Sequence, residues 1–178
     1  MEYETPRLTL RTPRKEDAAA FLGYLLANRD FLAEWEPERD TSYFTKESVK
    51  AALERQLGDI EAKRGFLFLL FAKASGELIG SIGISNIVFG PFRSCNLGYR
   101  LSAGRENQGY MTEALAKIVE FCFKELSLHR IEANVMPRNA GSKRVLEKLG
   151  FEREGLGKRY LRIAGVWEDH ERYAIRDE

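Results

Sequence analysis

The chain has 178 residues, of which 44% are hydrophobic and 31% charged, as expected for one globular domain with a substantial core. Its 28 Lys and Arg nearly balance its 27 Asp and Glu, so no overall field draws it to nucleic acid or a membrane surface. The chain does not open with a basic segment followed by an apolar run, and its longest apolar run, 66–72, is too short to span a bilayer. We expect a cytoplasmic protein with a single domain over residues 1–178 and with neither a nucleic-acid nor a membrane partner.

Hydrophobic periodicity divides the chain into strands and helices. Alternating apolar and polar residues predict strands, whereas apolar residues three and four positions apart predict helices. The predicted elements are, in chain order, a strand over 7–12, a helix from 15, a helix over 45–64, strands over 66–72 and 77–84, a loop over 86–95, a strand over 96–101, a helix over 109–126, a strand over 129–136, a helix over 139–149, and a hairpin of strands over 151–161 and 166–175. This order predicts an α/β fold, with helices on the faces of a mixed sheet.

Residues 96–126 form the most informative segment of the sequence. A short strand enters a polar turn at 104–108, and the helix that follows carries Leu115, Val119 and Cys122 on one face. Such a turn can direct several free backbone N–H groups at one point, with the positive end of the helix dipole behind them. The segment therefore suggests a phosphate or diphosphate site, although an ordinary strand-to-helix connection has the same local pattern.

Residues 31–40, FLAEWEPERD, combine three large apolar side chains with four acidic ones. Two interpretations are open for this segment, which we call the acidic lip. It could be the solvated end of a helix, or it could form one wall of a site that receives a cationic group. The residue types alone favour the solvated helix end.

Several catalytic and cofactor motifs are missing from the sequence. There is no HExxH, no GxxxxGK[ST] and no GxGxxG after a strand, which argues against a zinc protease, a P-loop nucleotidase and a dinucleotide-binding fold. The two cysteines, Cys95 and Cys122, have no metal-binding spacing, and we expect them to be reduced residues of the core. We expect no metal.

Four stretches of the sequence resemble the GCN5-related N-acetyltransferase (GNAT) superfamily: TPRLTLRTPRKEDA, GYMTEAL, HRIEANVMPRNAGSKRVLEKLGF and EREGLGKRYLRIAGVWEDHERYAI. The acidic lip, SNIVFGPF and GVWEDH resemble the RimJ group within it. The resemblance implies the GNAT fold, with a predominantly antiparallel mixed sheet of six to seven strands flanked by about four helices. It also implies acetyl-CoA as co-substrate.

The resemblance implies a cofactor site made of three segments. They are the strand over 96–101, the turn at 104–108 with the first residues of the helix that follows it, and the start of the helix over 139–149. In the family motif, Glu106 takes the place of a Gln or Arg, Met111 that of a small residue, and Asn107 that of a frequent glycine. Asn139 is either a helix N-cap, a contact to the pantetheine arm, or both. The expected cofactor-binding residues are Tyr99, Arg100, Leu101, Arg105, Glu106, Asn107, Gln108, Gly109, Tyr110, Met111, Thr112 and Asn139.

The catalytic assignments also follow from the resemblance. Ser142 matches a polar position that could protonate the CoA thiolate, or it is an ordinary first-turn serine. Glu36 is the first candidate for a general base, and Glu34 is the second. Tyr160 lies where some related enzymes carry an acid. The expected substrate-binding residues are Phe31, Glu34, Trp35 and Tyr160.

The resemblance to the RimJ group implies a protein N-terminal acetyltransferase whose acceptor is the α-amine of alanine on a ribosomal protein. Two alternatives are open. The same chemistry could act on a small amine such as a polyamine, an aminoglycoside or an amino acid. The protein could also be a ribosome-associated binding factor without turnover. We expect a monomer or a homodimer.

Overall fold

The computed structural model describes residues 1–177 and contains one eight-stranded mixed sheet with five α-helices. The strands are β1 (Glu2–Glu4), β2 (Leu8–Arg11), β3 (Phe66–Ala72), β4 (Leu78–Val88), β5 (Ser94–Leu101), β6 (Arg130–Val135), β7 (Glu152–Ile163) and β8 (Val166–Arg176). The helices are α1 (Ala18–Ala27), α2 (Arg29–Ala33), α3 (Lys46–Glu61), α4 (Tyr110–Lys124) and α5 (Ala140–Lys148). The predicted mixed α/β fold is confirmed.

Three details differ from the sequence prediction. The short strand β1 was not predicted, because three residues show no periodicity; it pairs with β2 at the sheet edge. The first helix begins as a 3₁₀ turn over Lys15–Asp17, and a separate short helix, α2, follows it. Half of the predicted loop over 86–95 is strand, since β4 continues to Val88 through a register shift after Ser85 and β5 begins at Ser94.

The sheet order is β1-β2-β3-β4-β5-β6-β8-β7, and every neighbouring pair is antiparallel except β5 and β6. That parallel pair is registered only where Ser94–Asn96 meets Arg130–Glu132. Beyond it the two strands diverge, so that within residues 1–177 the segment 97–101 pairs with β4 alone. The divergence opens a gap in the middle of the sheet.

Two apolar clusters cover the two faces of the sheet. The larger one packs α4 and α5 against one face and includes Phe68, Leu115, Phe121 and Leu146. It also contains Cys95 and Cys122, which are buried free thiols as expected. The smaller cluster packs α1 and α3 against the other face. The gap between β5 and β6 therefore connects two faces that are each covered by helices.

Candidate active site

The turn before α4 adopts backbone conformations that few residues tolerate. Gly104, Asn107 and Gly109 have φ values of 77°, 58° and 81°, all in the left-handed region. Glycine adopts this region without strain, and Asn is among the side chains that tolerate it best. Asn107, at a position where the family often has glycine, is therefore compatible with the turn.

The turn leaves backbone N–H groups free at the start of α4. The first intrahelical bond recorded runs from Glu113 N to Gly109 O, at 3.0 Å. Within the described residues, the amides of Gly109, Tyr110, Met111 and Thr112 have no hydrogen-bond acceptor. Free donors at the positive end of a helix dipole form a site for an anion such as a diphosphate.

Arg7, near the other end of the chain, holds this turn in place. Its Nη1 donates to Gln108 O at 2.9 Å, its Nε donates to Glu113 Oε2 at 2.7 Å, and its guanidinium lies 4.4 Å from the Tyr110 ring centroid. Burial alone would raise the pKa of Glu113, but hydrogen bonds from Thr5 and Arg7 outweigh it and lower the pKa. Sequence reasoning missed Arg7, because nothing in the local pattern links it to a turn about a hundred residues later.

Ser142 and Tyr99 form a pair of hydroxyl groups across the gap in the sheet. Tyr99 Oη lies 2.6 Å from Ser142 Oγ. Asn139 caps α5, since its Oδ1 accepts from Ser142 N at 3.0 Å. Burial raises the pKa of Tyr99 to about 12, although the bond to Ser142 opposes the shift. Tyr99 is therefore a protonated hydroxyl near neutral pH, and its side-chain role had no signal in the sequence.

A groove of about 470 Å³ runs from the turn before α4, past this hydroxyl pair, to the acidic lip. Most of the residues predicted for the site line it. These are Phe31, Trp35, Glu36, Tyr99, Arg100, Leu101, Arg105, Glu106, Asn107, Gly109, Tyr110, Met111, Thr112, Asn139 and Ser142. Arg144 and Lys148, one helical turn apart on α5, also line it and add positive charge.

Three predicted site residues do not line the groove. Gln108 turns its side chain back to Gly104 O, at 2.7 Å. Glu34 is exposed and lies 3.6 Å from the guanidinium of Arg138. Tyr160 packs against the ring of His170, at 5.7 Å between centroids. Each of these three side chains has a partner outside the groove.

The Arg100 side chain lies on the opposite face of the sheet from Tyr99. Its Nη1 donates to Glu36 Oε1 at 2.9 Å, and its Nε donates to Ser81 Oγ at 3.0 Å. Burial would lower the pKa of Arg100, but the attraction of Glu36 and neighbouring hydroxyl groups raises it overall. Only the backbone of Arg100 is left to face a cofactor in the gap.

The acidic lip is tied to the terminal hairpin, and two of its four carboxylates, Glu34 and Glu36, are paired with arginines. Glu36 is paired with Arg100, and its backbone oxygen accepts from Ala164 N at 3.0 Å. Asp40 caps the 3₁₀ turn that begins at Thr41. Trp35 lies under the guanidinium of Arg138, at 5.5 Å. The lip is therefore a wall of the groove, and its carboxylates contribute less free charge than their number suggests.

The site fits acetyl-CoA in its donor set, because free amides and basic side chains lie at one end of the groove and the hydroxyl pair lies further along it, before the acidic lip. Within residues 1–177, no cluster of three or more His, Cys, Asp or Glu side chains could hold a metal ion. None of the helices in this part of the chain is long and apolar enough to cross a membrane.

Residues 7–152 match the family described as the acetyltransferase (GNAT) domain. The chain belongs to the GNAT acetyltransferase family. It is similar to the ribosomal protein uS5-alanine N-acetyltransferase of Escherichia coli, with 39% identity over 170 residues that cover 93% of this chain and 86% of that protein. GNAT membership and this similarity establish an N-acetyltransferase related to the ribosomal-protein-alanine enzymes.

Two solved structures extend the comparison. The ribosomal-protein-S5-alanine acetyltransferase from Vibrio fischeri superimposes with a TM-score of 0.96 at 34% identity, covering 100% of this chain and 97% of that one. RimJ from Mycobacterium smegmatis, in complex with CoA-disulfide, superimposes with a TM-score of 0.89 at 36% identity, covering 95% and 81%. The fold of this GNAT domain is thus shared with relatives of the RimJ type, one of which binds a form of CoA.

Proposed function

We propose that the protein transfers the acetyl group of acetyl-CoA to the N-terminal α-amine of a protein, with alanine as first residue and a ribosomal protein as acceptor. The observation that carries the proposal is the open groove, which joins the free amides of α4 to the Tyr99–Ser142 pair and continues to the acidic lip. An open groove suits a polypeptide end better than a closed pocket would. The names of the relatives support the same acceptor class.

In this proposal the two ends of the groove have different tasks. The amides of residues 109–112 bind the diphosphate, and Arg144 and Lys148 add positive charge on α5. The unpaired edge of β5 at residues 99–101 offers backbone groups to the pantetheine arm. Acetyl-CoA supplies an acetyl group that is already activated as a thioester. The protein therefore has to position this group and to manage two protons.

The proton balance assigns a role to the hydroxyl pair. A neutral amine forms the new C–N bond and loses one proton, while the C–S bond breaks and the sulfur gains one. Ser142 Oγ donates the proton to the sulfur, and Tyr99 Oη, 2.6 Å away, replaces it. The Tyr99 hydroxyl carries this proton near neutral pH, and because its pKa is raised to about 12 it releases the proton only to a strong base such as the alkoxide left on Ser142. A proton from solvent then restores Tyr99, and the proton lost by the amine passes to solvent water.

No dedicated base is required on the amine side. An N-terminal α-amine has a pKa of roughly 8, so a useful fraction is neutral in the cytoplasm. Protonating Glu36, the base candidate from the sequence, would leave the guanidinium of Arg100 without the carboxylate that binds it. We propose that Glu36 holds Arg100 in place and shapes the groove.

The deciding experiment is acetyl-CoA turnover across peptides that differ only in the first residue, with polyamines, aminoglycosides and amino acids alongside. We expect alanine-first peptides to give the highest kcat/KM. A higher kcat/KM for one of the small amines would support the alternative function, acetylation of a small molecule. Binding of acetyl-CoA without turnover of any amine would support a non-catalytic binding factor.

A further inference from the structure

The sheet carries a bare patch of backbone on the face opposite α4. Gly83 of β4 and Gly98 of β5 are direct cross-strand partners. Gly98 is exposed although it lies in a central strand, and a Cβ added there would meet no heavy atom of the described chain within 4 Å. We call this pair the glycine floor. Arg100, two residues further along β5, shares its face and links it to the groove.

Asn134 of β6 stands across the gap from the glycine floor. The β5–β6 register ends at Asn96 and Glu132, and two residues on along each parallel strand come Gly98 and Asn134. Side chains two positions apart on a strand share a face, so Asn134 faces the same side as Gly98. The residues on either side of it, Ala133 and Val135, are buried in the cluster around α4.

The side-chain oxygen of Asn134, Oδ1, is buried and has no hydrogen-bond donor within residues 1–177. Buried polar atoms in native proteins are nearly always hydrogen-bonded, and each exception calls for an explanation. The χ2 torsion of Asn has a broad range of allowed values, so a side-chain amide without hydrogen bonds can rotate about χ2 without breaking one. Asn134 can therefore present its oxygen to the gap.

We propose that Asn134 Oδ1 accepts a hydrogen bond from the attacking amine, which lies over the glycine floor. A neutral amine attacks with its lone pair and keeps N–H groups to donate. A carboxamide oxygen orients such an amine and, because it is uncharged, stabilises the ammonium form, which has no lone pair, less than a carboxylate would. The carboxylate of Glu132, on the same face, is paired with Arg130 at 2.7 Å and with Arg172 at 3.7 Å. This inference rests on the N-acetyltransferase activity and is independent of which amine is the acceptor.

The test compares three alanine variants of the full chain. Asn134→Ala should raise KM for an alanine-first peptide roughly tenfold, as expected for the loss of one hydrogen bond to substrate. Its calorimetric Kd for acetyl-CoA should not rise and its Tm should not fall, because no hydrogen bond within the protein is lost. Gly98→Ala should also raise the peptide KM, since the methyl group occupies the floor, and should leave Tm unchanged. The control is Asn96→Ala, which removes an amide already bonded to Asn86 and should leave the peptide KM unchanged.

Each alternative outcome overturns the inference in a recognisable way. A wild-type peptide KM in Asn134→Ala, with or without a lower Tm, would remove Asn134 from the acceptor site. A matching loss of acetyl-CoA affinity would place it on the cofactor side instead. If Asn134→Ala does not fold, Gly98→Ala decides, and an unchanged peptide KM overturns the proposal.

Failure of the proposed function would be visible separately. If the wild type acetylates no amine, the peptide is titrated calorimetrically into the CoA-bound wild-type and Asn134→Ala proteins. Equal peptide affinities, or no binding to either protein, would then overturn the inference, whereas weaker binding to the variant would support it.

Discussion

Gly109 offers the sharpest test of the cofactor site, because two substitutions there should differ in opposite ways. Gly109→Ala should lose more stability, and Gly109→Asp should lose more affinity for acetyl-CoA. Its φ of 81° lies in the left-handed region, where a residue with a Cβ is strained by about 1–2 kcal/mol. For a chain of this size, that corresponds to a Tm lower by roughly 3–8 °C in Gly109→Ala. In either variant the added Cβ would crowd Arg7 Nη2 at 3.3 Å. Gly109→Asp should lose less stability than Gly109→Ala, since Asp tolerates this region better and its carboxylate would lie beside Arg7 at the positive end of α4.

Acetyl-CoA binding should follow the opposite order. A carboxylate roughly 5 Å from a phosphate charge costs about 0.8 kcal/mol in water and about 3 kcal/mol at an effective dielectric constant of 20. We therefore expect Gly109→Asp to weaken the calorimetric Kd for acetyl-CoA at least tenfold, and more than Gly109→Ala does. Gly90→Asp, with a φ of 76° in the β4–β5 loop, is the matched control for a charge at a strained position. An unchanged Kd in a folded Gly109→Asp protein would refute the site.

The remaining predictions concern proton transfer, capping, the buried ion pair and the acidic lip. Ser142→Ala should lower kcat with little change in KM for acetyl-CoA, and Tyr99→Phe should do the same to a smaller extent; a wild-type kcat in Ser142→Ala would leave it as a first-turn serine. Asn139→Ala removes the cap of α5 and should cost about 1 kcal/mol of unfolding free energy in urea, with weaker acetyl-CoA binding if Asn139 also contacts the cofactor. Glu36→Gln leaves Arg100 without its counter-charge and should lower the free energy of unfolding by about 1–3 kcal/mol. The double variant Glu36→Gln with Arg100→Met should recover part of both stability and activity. If the double variant regains stability but not activity, Glu36 acts as a base. If free charge on the lip attracts the acceptor, kcat/KM for a basic alanine-first peptide should fall as the salt concentration rises, while kcat/KM for a neutral peptide stays constant. Identical salt profiles for the two peptides would show that the charge of the lip does not attract the acceptor.

The local pattern of the sequence determined most of the elements and part of the site. Strands and helices long enough to show a period were predicted, as were the turn before α4 and the cap at Asn139, because these depend on residues within a few positions of one another. Glu2–Glu4 was missed since a three-residue edge strand is specified by its partner β2 and has no pattern of its own. The resemblance to a known family supplied the identity of the ligand, which periodicity could not provide.

Only the tertiary structure decided which side chains meet in the groove. Arg7 reaches a turn 101 residues away, Tyr99 meets Ser142 across 43 residues, and Arg100 pairs with Glu36 across 64. No local pattern encodes such contacts, because they exist only after the strands have paired and set the register. The same register divides neighbouring residues between two faces, so that Tyr99 faces Ser142 while Arg100 faces the lip. Asn134 became noticeable only as a buried oxygen without a donor, a property that belongs to the folded chain and not to the residue.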